Sequence, residues 1–218
     1  MSADVILMSD PQVTAIPVAE CGEPLADVRG AGLAVSDYRA DADGAFAQLR
    51  AGVVERLVEA ERKLPDGLRL LFIEGYRPPM LQRRYFDRYA AGLRAANPDW
   101  TDERLHTAAS RYVSPPEIAP HSAGAAVDLT LTGVDGTPLD MGTRVNANPE
   151  ESEGACYTAA SNISAGARAN RELLGAALGG AGLVNYGTEW WHWSYGDRYW
   201  ALRTGAEAAL YGPVEFTA

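Results

Sequence analysis

A chain of 218 residues is long enough for one substantial domain that buries about 70–75% of its unfolded surface, and short for two independent cores. Hydrophobic residues at 47% and charged residues at 22% sit near globular averages and argue against a disordered chain, a collagen-like repeat or a coiled-coil rod. Nineteen Lys and Arg against 29 Asp and Glu leave a net charge of −10, which repels a phosphate backbone and an anionic membrane face, so neither nucleic acid nor membrane is an expected partner.

No stretch approaches the roughly 18–20 apolar residues of a membrane span. Met1 to Met8 has no basic region before a sustained apolar core, so no secretory signal is apparent and the cytoplasm is the expected location. Cys21 and Cys156 fit neither zinc-finger nor thioredoxin spacing and read as ordinary reduced thiols. The first forty residues, broken by Pro11, Pro17, Gly22 and Pro24, predict short extended pieces and turns. From about Ala42 to Lys63, Phe46, Leu49, Val53, Val54, Leu57 and Val58 recur at helical spacing, with Asp41 or Asp43 as cap and Pro65 with Gly67 as stop. Leu68 to Ile73 reads as a buried strand that delivers Gly75-Tyr76-Arg77-Pro78 to its end. A helix is expected from Pro79 to Ala96, stopped by Asn97-Pro98, and a third from Asp99 or Thr101 to about Tyr112. Pro115, Pro116 and Pro120 make an ordered, non-helical approach to His121. Ala125 to Leu131 predicts a strand, and Val134 to Thr137 a hairpin turn. Ala159 to Leu178 predicts a fourth helix, closed by Gly179, Gly180 and Gly182, and Leu183 to Tyr195 a final strand pair or a bulged strand.

The chain has 3 histidines, so their positions are informative. His121 and Asp128 stand an odd distance apart and would face opposite ways on one strand, so a turn at Gly124 has to bring them together. Two imidazoles and a carboxylate, here His121, Asp128 and His192, suit a zinc ion that keeps an open position. Glu189 precedes His192 on what a regular strand would make the opposite face, so a turn at Gly187-Thr188 or a bulge must re-aim it. There it can take the proton of a water acidified by the metal. Arg77, fixed between a buried strand and two prolines, offers forked donors to an oxygen that becomes negative during amide hydrolysis. Each residue also has an ordinary structural role: a hydrogen-bonded His, an Asp capping or paired with Arg, an Arg salt bridge, a Trp cluster in the core. On these residues alone the two readings stand level. His106, on a charged helix with no acidic or Cys neighbour, reads as structural.

The motifs His121-x-x-Gly124-x-Ala126-x-Asp128, Glu189-x-Trp191-His192 and Gly75-Tyr76-Arg77-Pro78 resemble those of the D-alanyl-D-alanine dipeptidases, VanX-like zinc peptidases. The resemblance runs roughly from Leu49 to Tyr195, and residues 1–48 match poorly. It implies a single α+β domain over 1–218 of the hedgehog/D,D-peptidase kind, with a small central antiparallel sheet flanked by helices and a zinc site at the sheet. It implies one Zn2+ per chain on His121, Asp128 and His192, Glu189 as general base, and Arg77 at the oxyanion. The substrate would be a small peptide, D-alanyl-D-alanine or a relative, from peptidoglycan and the cell wall. Ser122, Asn146, Tyr76 and Trp190, in or beside the motifs, are the expected substrate contacts. The family's serine before the first ligand is Ala119 here, and an acidic residue that holds the substrate ammonium aligns with Asn146; Glu150, Glu151 or Glu153 could replace it. Rival readings are a D,D-carboxypeptidase or other peptidoglycan amidohydrolase acting on N-blocked substrates, and a non-catalytic zinc module.

Overall fold

The computed structural model describes residues 6–110, 113–149 and 151–217. A short helix α1 (Pro11–Thr14) is followed by β1 (Leu25–Asp27) and β2 (Ala34–Val35), and then by β3 (Gln48–Arg50) and α2 (Ala51–Glu61). Next come β4 (Leu68–Glu74), α3 (Pro79–Ala96) and α4 (Asp102–Ala109), then β5 (Ala126–Gly133), α5 (Ala165–Gly180), β6 (Val184–Asn185), β7 (His192–Ser194) and α6 (Arg198–Thr204). The α+β expectation holds. The main sheet has the order β2-β4-β5-β7-β6 and is antiparallel through its centre, as expected, with an added β2 edge that runs parallel to β4.

Strand β5 is central and its residues Ala126 to Thr132 are all buried. Alternation sends Val127, Leu129 and Leu131 into the core, where they meet Leu70 and Phe72 of β4. Val53 and Leu57 of α2, with Leu174 and Leu178 of α5, belong to the same core, each worth about 1.5–3 kcal/mol of burial. The other face of β5 carries Asp128, Thr130 and Thr132.

Several boundaries differ from the sequence reading. The helical spacing that starts at Phe46 is misleading, because Phe46 lies in a 3-10 turn and Leu49 in β3, so α2 begins only at Ala51. Asp41 does cap, but it caps that turn, accepting from the N–H groups of Asp43, Ala45 and Phe46. The start of α2 is fixed by the N-terminal segment, where the Glu23 carboxylate accepts from Gly52 N–H at 2.8 Å and the Pro24 carbonyl from Ala51 N–H at 3.0 Å. Helix α3 has the predicted bounds. Thr101 caps α4, and the expected helix end at Tyr112 lies outside the described residues. Helix α5 starts at Ala165, later than expected, because the Ser164 hydroxyl caps it by accepting from Ala167 N–H at 3.0 Å. The hairpin turn after β5 forms, with Thr132 bridged to Pro138.

Candidate metal centre and its cavity

Cross-strand register builds most of the site. Asp128 of β5 lies directly opposite His192 of β7 and, on its other side, opposite Glu74 of β4. Directly opposed residues share a face, so the three side chains form a row across the sheet. Glu74 is there because β4 shifts register between Phe72 and Glu74. Without that bulge Glu74 would follow Phe72 into the core; the extra residue turns it to the polar face.

His121 arrives from a 3-10 turn, Pro120–Ala123, and Gly124 at φ +65° closes the turn back onto β5, as the spacing requires. A Cβ on Gly124 would stand 2.5 Å from Leu25 Cδ2. The His121 Nδ1–H donates to the Gly75 carbonyl at 2.6 Å, which leaves Nε2 bare and aimed at the other two ligands. Gly75 is needed for a different reason: a Cβ there would lie 2.5 Å from the Gln48 carbonyl.

His121 Nε2 lies 3.2 Å from His192 Nδ1 and 3.4 Å from Asp128 Oδ1, and His192 Nδ1 lies 3.1 Å from Asp128 Oδ1. Ligands about 2.0–2.1 Å from a tetrahedral zinc are separated by about 3.3–3.4 Å. The donor triangle therefore fits one zinc ion, with the fourth direction open. All three residues are at least 95% buried, at 5%, 2% and 5% exposure. Burial alone would raise the Asp128 carboxyl, but His121 and His192 outweigh it and hold the group well below the usual carboxylate range.

The expected turn before His192 is present: Glu189 N–H donates to the Tyr186 carbonyl at 2.9 Å and His192 N–H to the Glu189 carbonyl at 3.2 Å. This puts Glu189 Oε2 at 3.8 Å from His192 Nδ1. Its side chain keeps 30% exposure because it borders a cavity of about 510 Å³, which His121, Asp128, His192 and Arg77 also line. Burial pushes the Glu189 carboxyl up to about 7; His192 and Arg77 oppose that rise and Asp128 adds to it.

Arg77 reaches the cavity but is not a loose cation. Its Nε and Nη2 donate to the two Glu74 oxygens at 2.8 Å each, and its Nη1 donates to Gln82 Oε1 at 2.8 Å. Desolvation works against the Arg77 cation, and Glu74 more than offsets it, raising its pKa further. Gln82 in turn donates to the Ser114 carbonyl at 2.7 Å. Sequence reasoning gave Glu74 and Gln82 no role; the only signal was a Glu and a Gln flanking the Gly-Tyr-Arg-Pro motif.

Of the expected substrate contacts, the structure brings Asn146 to the cavity and not the others. The Ser122 hydroxyl donates to the Arg77 carbonyl at 3.0 Å, the Tyr76 hydroxyl to the Val214 carbonyl at 2.6 Å, and Trp190 Nε1 to Thr143 Oγ1 at 2.8 Å. These groups fix the motif loops and the C-terminal segment. Ala119 does line the cavity. Glu151 pairs with Arg144 on the exposed surface at 3.0 Å, and Glu150 lies outside the described residues. The His106 ring packs tilted against Phe86, with centroids 5.1 Å apart, in keeping with a structural role. Both cysteines are free thiols.

A two-histidine, one-aspartate centre with an open position and a carboxylate beside it defines a mononuclear zinc peptidase. The sequence profile described as D-ala-D-ala dipeptidase matches residues 49–206. The chain belongs to that family. A D-alanyl-D-alanine dipeptidase of Synechocystis sp. is 30% identical over 236 residues, covering 92% of this chain and 96% of the relative. One of Escherichia coli is 33% identical over 128 residues, covering 58% of this chain and 55% of the relative. Among solved structures, VanYB in complex with D-alanine-D-alanine is 16% identical, covers 86% of each chain and has a TM-score of 0.46.

Proposed function

We propose that the protein hydrolyses D-alanyl-D-alanine or a related small dipeptide, using water, at a zinc ion held by His121, Asp128 and His192. The observation that carries this reading is the donor triangle of 3.1–3.4 Å with Glu189 beside it. A zinc ion bound there supplies Lewis acidity, polarising the scissile carbonyl and lowering the pKa of water to about 7. Glu189, matched to neutral pH, takes a proton from the water and returns it to the departing amine. Arg77 has five N–H groups, of which three are engaged by Glu74 and Gln82, so two remain to donate to the oxyanion. The Gly75 carbonyl keeps the His121 ring in the tautomer that presents Nε2.

The reading extends to a cytoplasmic enzyme acting on peptides of cell-wall peptidoglycan origin. The net charge of −10 supports a small peptide rather than nucleic acid or an anionic membrane as partner, and among the described residues no helix is long and apolar enough to cross a membrane. Metal analysis and turnover of two variants test it together. Glu189→Ala retains zinc and loses hydrolysis, while His192→Ala loses both; an active Glu189→Ala enzyme would remove the mechanism.

A further inference from the structure

The turn that carries His121 is held from behind. Residues Pro120–Ala123 form a single 3-10 turn, a geometry with poor hydrogen bonds that occurs only in short pieces, and Pro120 brings no N–H to it. Yet the four consecutive carbonyls from His121 to Gly124 each accept a bond from elsewhere in the chain. The His121 carbonyl accepts from Arg77 N–H at 3.1 Å, that of Ser122 from Val214 N–H at 3.0 Å, and that of Gly124 from Arg50 N–H at 2.9 Å. The Ala123 carbonyl accepts from the Arg50 side chain, at Nε, at 2.8 Å.

Arg50 is a buried cation at the end of β3, only 3% exposed. A guanidinium has five N–H groups, and here each has a partner. Beyond Ala123, Nη1 donates to Glu20 Oε1 at 3.1 Å and to the Glu23 carbonyl, and Nη2 donates to Glu20 Oε2 and the Gly212 carbonyl, both at 3.1 Å. One side chain therefore joins the ligand turn to two segments that also pair with each other. Ala19 N–H donates to the Ala209 carbonyl at 2.8 Å and Cys21 N–H to the Leu210 carbonyl at 3.0 Å, while the Tyr211 hydroxyl donates to the Glu23 carboxylate at 2.6 Å and Gly212 N–H to the Glu20 carboxylate at 2.7 Å. Both segments lie outside residues 49–206, which the family profile matches. Packing alone would not require a buried charge here, since an apolar side chain of similar volume fills such a space without desolvating an ion. What the guanidinium adds is direction: a rigid fork that fixes where the Ala123 carbonyl lies, two residues from the ligand.

We propose that Arg50 is a positioning residue for the metal: with the clasp formed by residues 19–23 and 209–214, it holds the His121 turn where Nε2 completes the donor triangle, so that zinc affinity and closure of the clasp are coupled. The inference rests on the zinc site proposed above and is independent of its substrate. A ligand nitrogen has to lie within about 0.2 Å of its coordination distance, a tolerance that a lone turn with unbraced carbonyls does not keep. By linkage, the ion stabilises the clasp by the same factor by which the clasp raises the ion's affinity.

Competition with a chelator for zinc, together with amide hydrogen exchange, tests the coupling. Arg50→Lys keeps the charge but cannot span Ala123, Glu20 and Gly212 at once, and Val214→Pro deletes the donor to Ser122. Each weakens zinc binding at least tenfold, the scale of losing an outer partner of a metal ligand. Leu178→Ala loosens the core without removing a hydrogen bond of the clasp; it lowers the melting temperature and leaves zinc affinity within threefold of wild type. In the wild type, saturating zinc slows exchange of the Gly212 and Val214 N–H groups at least tenfold. Wild-type affinity in both clasp variants, an equal loss in Leu178→Ala, or exchange indifferent to zinc overturns the coupling and leaves the metal site standing. Should Arg50→Lys fail to fold, Val214→Pro and the exchange measurement decide. A wild-type protein that binds no zinc overturns the coupling and the metal site together.

Discussion

Glu74→Gln is the most informative perturbation of the site's framework. The wild-type carboxylate receives two charge-assisted bonds from Arg77 and lies 3.5 Å from Arg39, with its own side chain only 5% exposed. Glutamine keeps one acceptor, turns an NH2 group toward the guanidinium donors and leaves a buried cation without its hydrogen-bonded counter-charge. Removing one partner of such a pair costs about 3–5 kcal/mol. At about 2–4 °C of melting temperature per kcal/mol for a chain of this size, that is a fall of roughly 6–20 °C. Arg77 loses its fixed placement as well, and under its proposed role a displaced oxyanion donor costs about 10²–10³ in kcat. Urea unfolding of the zinc-loaded proteins and kcat on D-Ala-D-Ala measure the two effects. The pair also sets a pH dependence. Burial raises the Glu74 carboxyl, Arg77 outweighs it, and the group ends below its ordinary value. Its stabilisation is therefore present above the unfolded carboxylate range and is lost as pH falls through the folded value, so wild type and Glu74→Gln converge in acid. A variant within 1 kcal/mol of wild type that also keeps its kcat would refute the idea that the β4 bulge exists to anchor Arg77.

Two further outcomes follow from the geometry. With Glu189 as the proposed base, kcat/KM rises with pH through its ionisation, at or below about 7 because a neighbouring bound cation favours the charged form; Glu189→Gln removes that acidic limb along with about 10²–10⁴ of rate, as a pH–rate profile reads directly. Gly75→Ala forces the backbone away from the Gln48 carbonyl and moves the carbonyl that orients His121, so zinc affinity falls about 10–100-fold in competition with a chelator; unchanged affinity would mean that this contact does not hold the ring.

The parts of the fold that punctuation residues specify were legible in the sequence. Pro79 and Asn97-Pro98 bracket α3, and the odd spacing from His121 to Asp128 demanded the turn that Gly124 makes. That His121, Asp128 and His192 converge was legible because there are so few histidines and their motifs are distinctive. Periodicity failed where it ran across a chain reversal: Phe46 and Leu49 continue the apolar spacing of α2, yet tertiary pairing of β3 with β1 takes Leu49 out of the helix. Ser164 was a readable cap that would have corrected the start of α5. The role of Glu74 was not readable, because a bulge that reverses side-chain parity has no local residue signature. Ser122, Tyr76 and Trp190 sit in the right motifs but satisfy backbone and hydroxyl groups away from the cavity, which their sequence neighbourhood cannot distinguish from binding substrate.

X-ray absorption at the zinc edge of the purified, metal-loaded protein tests the central claim most directly. The account predicts one zinc per chain in a four-coordinate shell of light atoms at about 2.0–2.1 Å, with the scattering signature of two imidazoles, and no bound metal in His192→Ala. Failure to bind zinc, a sulfur ligand in the shell, or a spectrum that His192→Ala leaves unchanged would contradict it.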